Sequence, residues 1–380
     1  VMCVLISGFF GLTLVPEALG DGNWLGRFMG YELEHVSWAG CAIWDLIQPS
    51  FMFIVGVAMP FSIASRRAKG DSEGKLWGHA VYRAVVLVLL GLFLRSQGQS
   101  QTYFTFEDVV SQIGLGYLFV FAMAGLSFRA QAIFVGVVLF GYWLLFALWP
   151  LPTPEQIAAL NPDAEWTFFH GFAAHWNKGL NPAGYFDHWF LNLFPRETPW
   201  TYHNGGYATL NFIPAMATMT FGVMAGEWMR GERSLEEKFR MLVKCGVACL
   251  VFGFVVDGHI WPLAHFDWSA APIVKRIWTP SWAVFSAGWV LLSVALFVYI
   301  VDIKGYTKWT LPFVAVGMNS TAAYVMHSSF QEFIADRLNV HFQLSATLGA
   351  AGEGLAMIGG VIVVWYVLYW MYKRKVFIRI

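Results

Sequence analysis

Ile43-Trp44-Asp45-Leu46-Ile47-Gln48-Pro49-Ser50-Phe51-Met52-Phe53-Ile54-Val55-Gly56-Val57-Ala58-Met59-Pro60-Phe61-Ser62-Ile63-Ala64 carries one charge, Asp45, and runs directly into Ser65-Arg66-Arg67-Ala68-Lys69. A helix rises about 1.5 Å per residue, so about 20 mainly apolar residues cross the ~30 Å hydrocarbon core of a bilayer. The run has that length, and the basic cluster behind it is what the cytoplasmic end of a span carries. The pattern recurs on both sides. Candidate spans are a stub at Val1–Val15, then Ile43–Ala64, Gly78–Leu94, Val109–Leu126, Ala130–Trp149, Tyr207–Met229, Phe239–Asp257, Trp282–Val301, Trp309–Phe333 and Leu355–Tyr372.

The composition agrees. Hydrophobic residues make up 57% of the 380-residue chain and aromatic residues 18%, against 13% charged. Soluble domains carry roughly 25% charged residues. A formal net charge of +0 leaves no basic excess for nucleic acid, and the 4 cysteines are too few for a disulfide scaffold. The 19 Trp and 34 Phe suit the two membrane interfaces and a lipid-facing surface. Cys245 and Cys249 sit four apart on one helical face, where thiols pack as small hydrophobes, and no Cys/His spacing marks a metal site.

Lys and Arg fall unevenly over the connections. One set, including Arg66, Arg67, Lys69, Arg230, Arg233 and the tail Lys373-Arg374-Lys375, holds sixteen, and the alternate set, including Arg95, Arg196, Lys275 and Arg276, holds seven. The basic side faces the cytoplasm. The expectation is therefore an all-α, polytopic integral membrane helical bundle of about ten transmembrane helices with both termini cytoplasmic, forming a single domain over 1–380. Val1 opens inside an apolar run with no cap or charged flank, which reads as a chain continuing upstream. The outer side then holds Pro16–Ala42, Gly258–Ser281 and a long outer loop at Pro150–Gly206 without clear helical period. Gly222 and Gly226, in a small-xxx-small spacing, allow two helices to approach closely.

Polar residues at membrane depth are costly and invite a functional reading. Asp45 stands at the mouth of its span, where it either caps the helix or joins a site; Pro49 is expected to kink that span. His35, ten residues earlier, is either surface decoration or a proton carrier, and the same choice holds for His259 and His265. Asn319, Ser320, Tyr324 and His327 lie in one apolar segment, with Ser320 and His327 on one helical face. There Asn319 binds a carbonyl, fixes a histidine tautomer, or glues helices. Lys275-Arg276-Ile277-Trp278-Thr279-Pro280-Ser281 has the composition of an interfacial anchor leading into a helix start.

Glu34-His35-Val36-Ser37-Trp38-Ala39-Gly40 through Asp45-Leu46-Ile47-Gln48-Pro49 and on to Gly56 resembles a stretch of the heparan-α-glucosaminide N-acetyltransferase family of transmembrane acyltransferases, whose bacterial homologues are often described as domains of unknown function. Pro272 through Ser281 resembles a second family element, and Pro312-Phe313, Gly317-Met318-Asn319-Ser320, Tyr324 and His327 a third. The resemblance implies a membrane-bound acyltransferase (N- or O-acetyltransferase) in which acetyl-CoA from the cytoplasm supplies an acetyl group to an amino-sugar or glycan acceptor on the outer face. It implies His35 as the catalytic residue, either carrying the acetyl covalently or acting as base toward the acceptor amine, and Asp45, Lys275, Trp278, Ser281, Asn319, Ser320 and His327 as pocket candidates, with no metal. The implied location is a bacterial inner (cytoplasmic) membrane. The implied partners are membrane lipid, a small-molecule or glycan acceptor, and a homo-oligomer or a larger membrane complex, but no nucleic acid.

Three stretches depart from the family pattern. Ser7 stands where Asn is usual. Asp108-Val109-Val110-Ser111-Gln112-Ile113-Gly114 replaces P-G-V-L-Q-R-[IL]-G and loses its Arg, and His203-Asn204-Gly205-Gly206 replaces D-P-E-G. A rival reading makes the chain a non-catalytic structural subunit built on the same scaffold. A third, a transporter, lacks visible repeat halves with paired interrupted helices.

Overall fold

The computed structural model of the chain describes residues 23–159, 168–260, 264–265 and 269–378. The expected stub span Val1–Val15 and Ser7 lie outside the described residues. In chain order the helices are α1 (Trp24–Leu33), α2 (Ile47–Ala68), α3 (Glu73–Arg95), α4 (Val109–Met123), α5 (Phe128–Ala147), α6 (Pro154–Ala159), α7 (Pro182–Phe190), α8 (Phe212–Arg230), α9 (Leu235–Asp257), α10 (Pro280–Phe297), α11 (Leu311–Gly317), α12 (Ser320–Met326), α13 (Glu332–Phe342), α14 (Leu344–Leu348) and α15 (Ala350–Lys373). The two-residue strands β1 (His259–Ile260) and β2 (Ala264–His265) pair antiparallel.

Six stretches among the described residues are long and apolar enough to cross a membrane: Ile43–Ala68, Glu73–Arg95, Phe128–Ala147, Leu235–Asp257, Pro280–Ile303 and Ala350–Lys373. The chain is a helical, multi-pass membrane protein, and each of the six overlaps a span expected from sequence. The other expected spans differ for identifiable reasons. Val109–Met123 is apolar but short, ending where Ala124 turns to extended backbone. Helix α8 contains Pro, Thr and Gly that lower its mean hydropathy, and it is enclosed by protein rather than lipid, with eleven residues from Pro214 to Gly226 buried. Trp309–Phe333, expected as one span, is broken. Helix α11 ends at Gly317, Asn319 leaves helical geometry at φ −129°, ψ 43°, and α12 gives way to a π-turn at His327–Gln331.

The chain divides into two compact units: residues 1–35, 42–47 and 304–380, and residues 36–41 and 48–303. In the second unit the helix starts are written locally. Ser72 accepts from the Lys75 N–H at 3.3 Å, Asp108 from that of Val110 at 3.1 Å and Ser127 from that of Ala130 at 3.3 Å. Ser234 and Glu237 form a reciprocal capping box. Pro49 falls in the first turn of α2, where its missing N–H removes no ladder bond; the proline inside that helix is Pro60.

The close approach expected at Gly222 and Gly226 is realised. A Cβ on Gly222 would lie 2.0 Å from the Phe53 carbonyl oxygen and one on Gly226 2.5 Å from that of Val57, while Gly56 faces Met219 in return. Helices α2 and α8 therefore touch backbone to backbone. On α9, Val247, Val251, Phe252 and Val255 are exposed, as on a face that lipid covers.

The segment Pro150–Gly206, expected without helical period, contains α6, a 3₁₀ turn at Gly171–Trp176, and α7. Asn181 caps α7 through the Ala183 and Gly184 N–H groups at 3.1 Å each. Trp176 lies parallel to Phe146 at 6.3 Å. The first unit holds α1, a 3₁₀ turn at Ile43–Leu46, and α11 to α15.

Candidate functional site

Helix α1 starts on the Asn23 cap, whose Oδ1 accepts from Leu25 N–H at 2.9 Å, and ends where Glu34 takes extended backbone. The chain then returns to the 3₁₀ turn Ile43–Leu46 that leads into α2. Two carboxylates receive the first N–H groups of that turn: Glu32 Oε2 accepts from Ile43 at 2.9 Å and Asp45 Oδ2 from Ala42 at 3.1 Å. The second oxygen of Asp45, Oδ1, lies 2.7 Å from His35 Nδ1. Asp45 is 1% exposed and His35 38% exposed at its side chain, so a buried carboxylate supports an accessible imidazole. Trp44 lies beside it with ring centroids 6.2 Å apart. With the carboxylate accepting from Nδ1–H, the neutral ring has its lone pair on Nε2, the arrangement of a general base.

The rest of the motif builds a scaffold in the other unit. Val36–Cys41 lies along the Pro272–Trp278 loop: Gly40 N–H donates to Ile273 O at 2.9 Å and Ala39 bridges Val274. Trp38 is fully buried and donates from Nε1 to Trp176 O at 3.0 Å. Arg276 donates to Gly205 O at 2.8 Å and to Val36 O at 3.1 Å. Both Lys275 and Arg276 lie over Tyr207, at 5.9 and 5.3 Å from the ring centre.

Pro272–Ser281 is therefore not an interfacial anchor. Lys275, Trp278 and Ser281 are buried. Trp278 takes φ 48° and donates to Thr218 Oγ1 at 3.2 Å, and Ser281 donates to Pro272 O at 2.8 Å. Trp278 and Ser281 thus brace the loop.

Around the departing His203–Gly206 stretch lies a charged cluster that sequence reasoning did not single out. His203 Nδ1 accepts from Gly205 N–H at 2.9 Å, leaving Nε2 3.9 Å from Glu107 Oε1. Arg95 Nε lies 3.8 Å from Glu107 and 3.1 Å from Asp108. Burial pushes the Glu107 carboxyl above the usual range and the His203 imidazole down to about 4, helped by the cations of Arg95, Arg276 and Lys178. Asp187, buried on α7, accepts from Thr209 N–H at 2.9 Å and is pushed up to about 7, mainly by desolvation. The available signal was the acidic pair Glu107-Asp108 directly before a span. Gln112, where the family has its Q-R pair, donates to Phe106 O at 2.6 Å and Thr209 O at 3.1 Å, tying together the entries of α4 and α8.

Asn319 uses both ends of its amide on the C-terminal segment, donating to Val376 O at 3.1 Å and accepting from Ile378 N–H at 3.0 Å. Ser320 opens α12 half-buried, and His327 Nδ1 pairs with Gln331 Oε1 at 2.9 Å. The structure thus joins His35 to Asp45 directly and gathers Lys275, Trp278 and Ser281 in one buried loop, while Asn319 and His327 serve local partners. His259 and His265 align in the β1–β2 register.

No family model matches the chain. It is similar to the human heparan-alpha-glucosaminide N-acetyltransferase, 22% identical over 369 residues, covering 86% of this chain and 53% of that protein. It is also similar to the mouse heparan-alpha-glucosaminide N-acetyltransferase, 22% identical over 420 residues, covering 99% of this chain and 60% of that one. The chain spans about half to three fifths of the length of these curated relatives. The motif stretches at His35–Gly56, Pro272–Ser281 and Pro312–His327 thus belong to a similarity that runs over most of the sequence, and the chain is a distant relative of the heparan-alpha-glucosaminide N-acetyltransferases.

Proposed function

We propose that the protein is a membrane acetyltransferase that passes an acetyl group from cytoplasmic acetyl-CoA to an amine-bearing sugar or glycan on the outer face. The observation that carries this is the His35–Asp45 pair at 2.7 Å, with the carboxylate buried and the ring accessible, in the stretch that resembles the acyltransferase family. In the reaction the acceptor nitrogen attacks the thioester carbonyl, His35 Nε2 takes the proton that nitrogen loses, the C–S bond breaks, and CoA leaves as the thiol once protonated. Asp45 holds the ring in the tautomer this needs and stabilises the imidazolium formed.

The donor is a polyanion, and its phosphates need cations not already neutralised by acids. Arg66 and Arg67 are paired with Asp71 and Glu73 at 3.5 and 2.8 Å. Arg230 and Arg233 lie over Phe61 and Trp228 at 6.0 and 3.8 Å. A guanidinium held flat on a ring keeps N–H edges for phosphate oxygens. By that criterion Arg230 fits a phosphate better than the paired Arg66 and Arg67, on the side we read as cytoplasmic from the Lys and Arg distribution.

The test is acetyl transfer by the purified protein from labelled acetyl-CoA to glucosamine-type acceptors, wild type beside His35→Ala. Transfer is expected in the wild type and loss of nearly all of it in the variant, with the unfolding midpoint unchanged. Equal turnover in the two proteins overturns the assignment.

A further inference from the structure

We infer that the groove between residues 99–104 and 195–202 is a saccharide-binding subsite for an uncharged or amine-bearing glycan, not for a sulfated one; the choice of an amine-bearing sugar rests on the proposed acetyl transfer. The groove has a volume of about 260 Å³. That is below the ~300–1,000 Å³ of sites that enclose drug-sized ligands, so it suits the end of a sugar chain and not an acetyl-CoA molecule. Its wall combines the aromatic rings of Tyr103, Trp200 and Tyr202 with amide and hydroxyl side chains such as Gln99, Gln101 and Thr201. Rings offer flat apolar faces to the C–H side of a pyranose, and amides and hydroxyls match its ring of O–H groups.

The groove is held in shape before any ligand arrives. Asn192 grips the Trp200 backbone twice, accepting from its N–H at 2.8 Å and donating to its carbonyl at 2.9 Å. Arg196 donates to Leu191 O at 2.7 Å, also to Phe104 O, and lies 5.4 Å over the Tyr103 ring. Ser100 bonds Glu197 across the cleft, Ser96 Oγ accepts from Tyr103 N–H at 2.9 Å, and Phe104 stacks on Phe194 at 4.8 Å. Such preorganisation lowers the ordering cost of binding.

The charges select the sugar. Among the described lining residues Arg196 is the one cation, already committed to two carbonyls, and Glu197 the one acid. A sulfated chain needs several free cations, whereas Glu197 can receive an ammonium. Both loops lie outside the helices long enough to span a membrane.

The experiment is equilibrium dialysis of the detergent-purified full chain against a labelled glucosamine disaccharide, with a sulfated heparin disaccharide as the second probe. Wild type, Trp200→Ala, Trp200→Phe, Glu197→Gln and His35→Ala are compared, with unfolding midpoints as a control. Trp200→Ala is expected to weaken binding at least about ten-fold and Trp200→Phe to restore most of it. Glu197→Gln should weaken the amine form more than its N-acetylated form, and the sulfated probe should not bind at the same concentrations. Equal affinity in wild type and Trp200→Ala, or equal binding of the sulfated probe, overturns the inference. His35→Ala separates the readings. Saccharide binding that survives without any acetyl transfer by the wild type counts against the acetyltransferase alone. Saccharide affinity equal in wild type and Trp200→Ala, beside measurable acetyl transfer, counts against the groove alone.

Discussion

At the scale of single residues, Asp45 shows how one carboxylate answers two questions that its position in the sequence posed as alternatives. Oδ2 accepts the Ala42 N–H, as a helix-start acid does, and Oδ1 meets His35. Asp45→Asn separates the two roles. The amide oxygen can still accept from Ala42, but the NH₂ then faces His35 Nδ1 and turns the ring to the tautomer with its proton on Nε2. The expected result is a fall in kcat of up to about four orders of magnitude, the drop seen when a buried aspartate behind a catalytic histidine becomes asparagine, with KM and the unfolding midpoint nearly unchanged. Steady-state kinetics decide it, and a loss confined to KM would make Asp45 a binding residue. Both residues were legible as separate candidates. Their contact was not, because it depends on a chain reversal that passes through Gly40 at φ 109°, which spacing along the sequence does not reveal.

At the scale of elements, apolar periodicity located helices well and their interruptions poorly. Trp309–Phe333 keeps a largely apolar character through the break at Met318-Asn319 and the π-turn at His327–Gln331, so the pattern reads as one rod. The Pro272–Ser281 loop shows the converse failure: a basic pair beside a Trp has the same composition whether it lies at a membrane surface or inside a folded plug. What identifies it as buried are distant partners, Gly205, Tyr207 and Thr218. Gly206, against which Trp38 packs, is held by both its backbone and its space. Its φ is +75°, and a Cβ there would lie 2.4 Å from the Trp38 ring. Gly206→Ala is expected to cost about 1 kcal/mol for the backbone conformation and a further ~1–3 kcal/mol for overpacking, read as a lowered unfolding midpoint. Gly205→Ala meets the Arg276 and His203 side chains at 2.9 and 3.0 Å and should cost less, since those ends can shift. Equal effects of the two substitutions would remove Trp38 as the cause.

At the scale of the whole molecule, composition was the strongest signal, because a chain with 13% charged residues cannot solvate a globular surface. It could not show which charges fold inward. Asp187 and His203 both lie outside the candidate membrane helices, and burial holds both neutral, with opposite consequences for stability. Asp187 moves from 3.8 in the unfolded chain to about 7. As pH rises through that window the unfolded state loses its proton first, so stability falls. Glu107, also raised by burial, acts in the same direction. His203 moves from 6.5 down to about 4. As pH falls through that window the unfolded state gains a proton the folded state refuses, so stability falls with acidification. Between about pH 4 and 6.5 the slopes oppose each other. Asp187→Asn keeps the acceptor for Thr209 N–H and removes one acid slope, so the unfolding midpoint of that variant should decline less than the wild type's as pH rises. His203→Gln removes the opposing slope, and its midpoint should decline more steeply over the same range. Midpoints measured from pH 4.5 to 7.5 in one detergent and buffer series check both. Parallel pH profiles for all three proteins would mean that neither group is held neutral in the folded state.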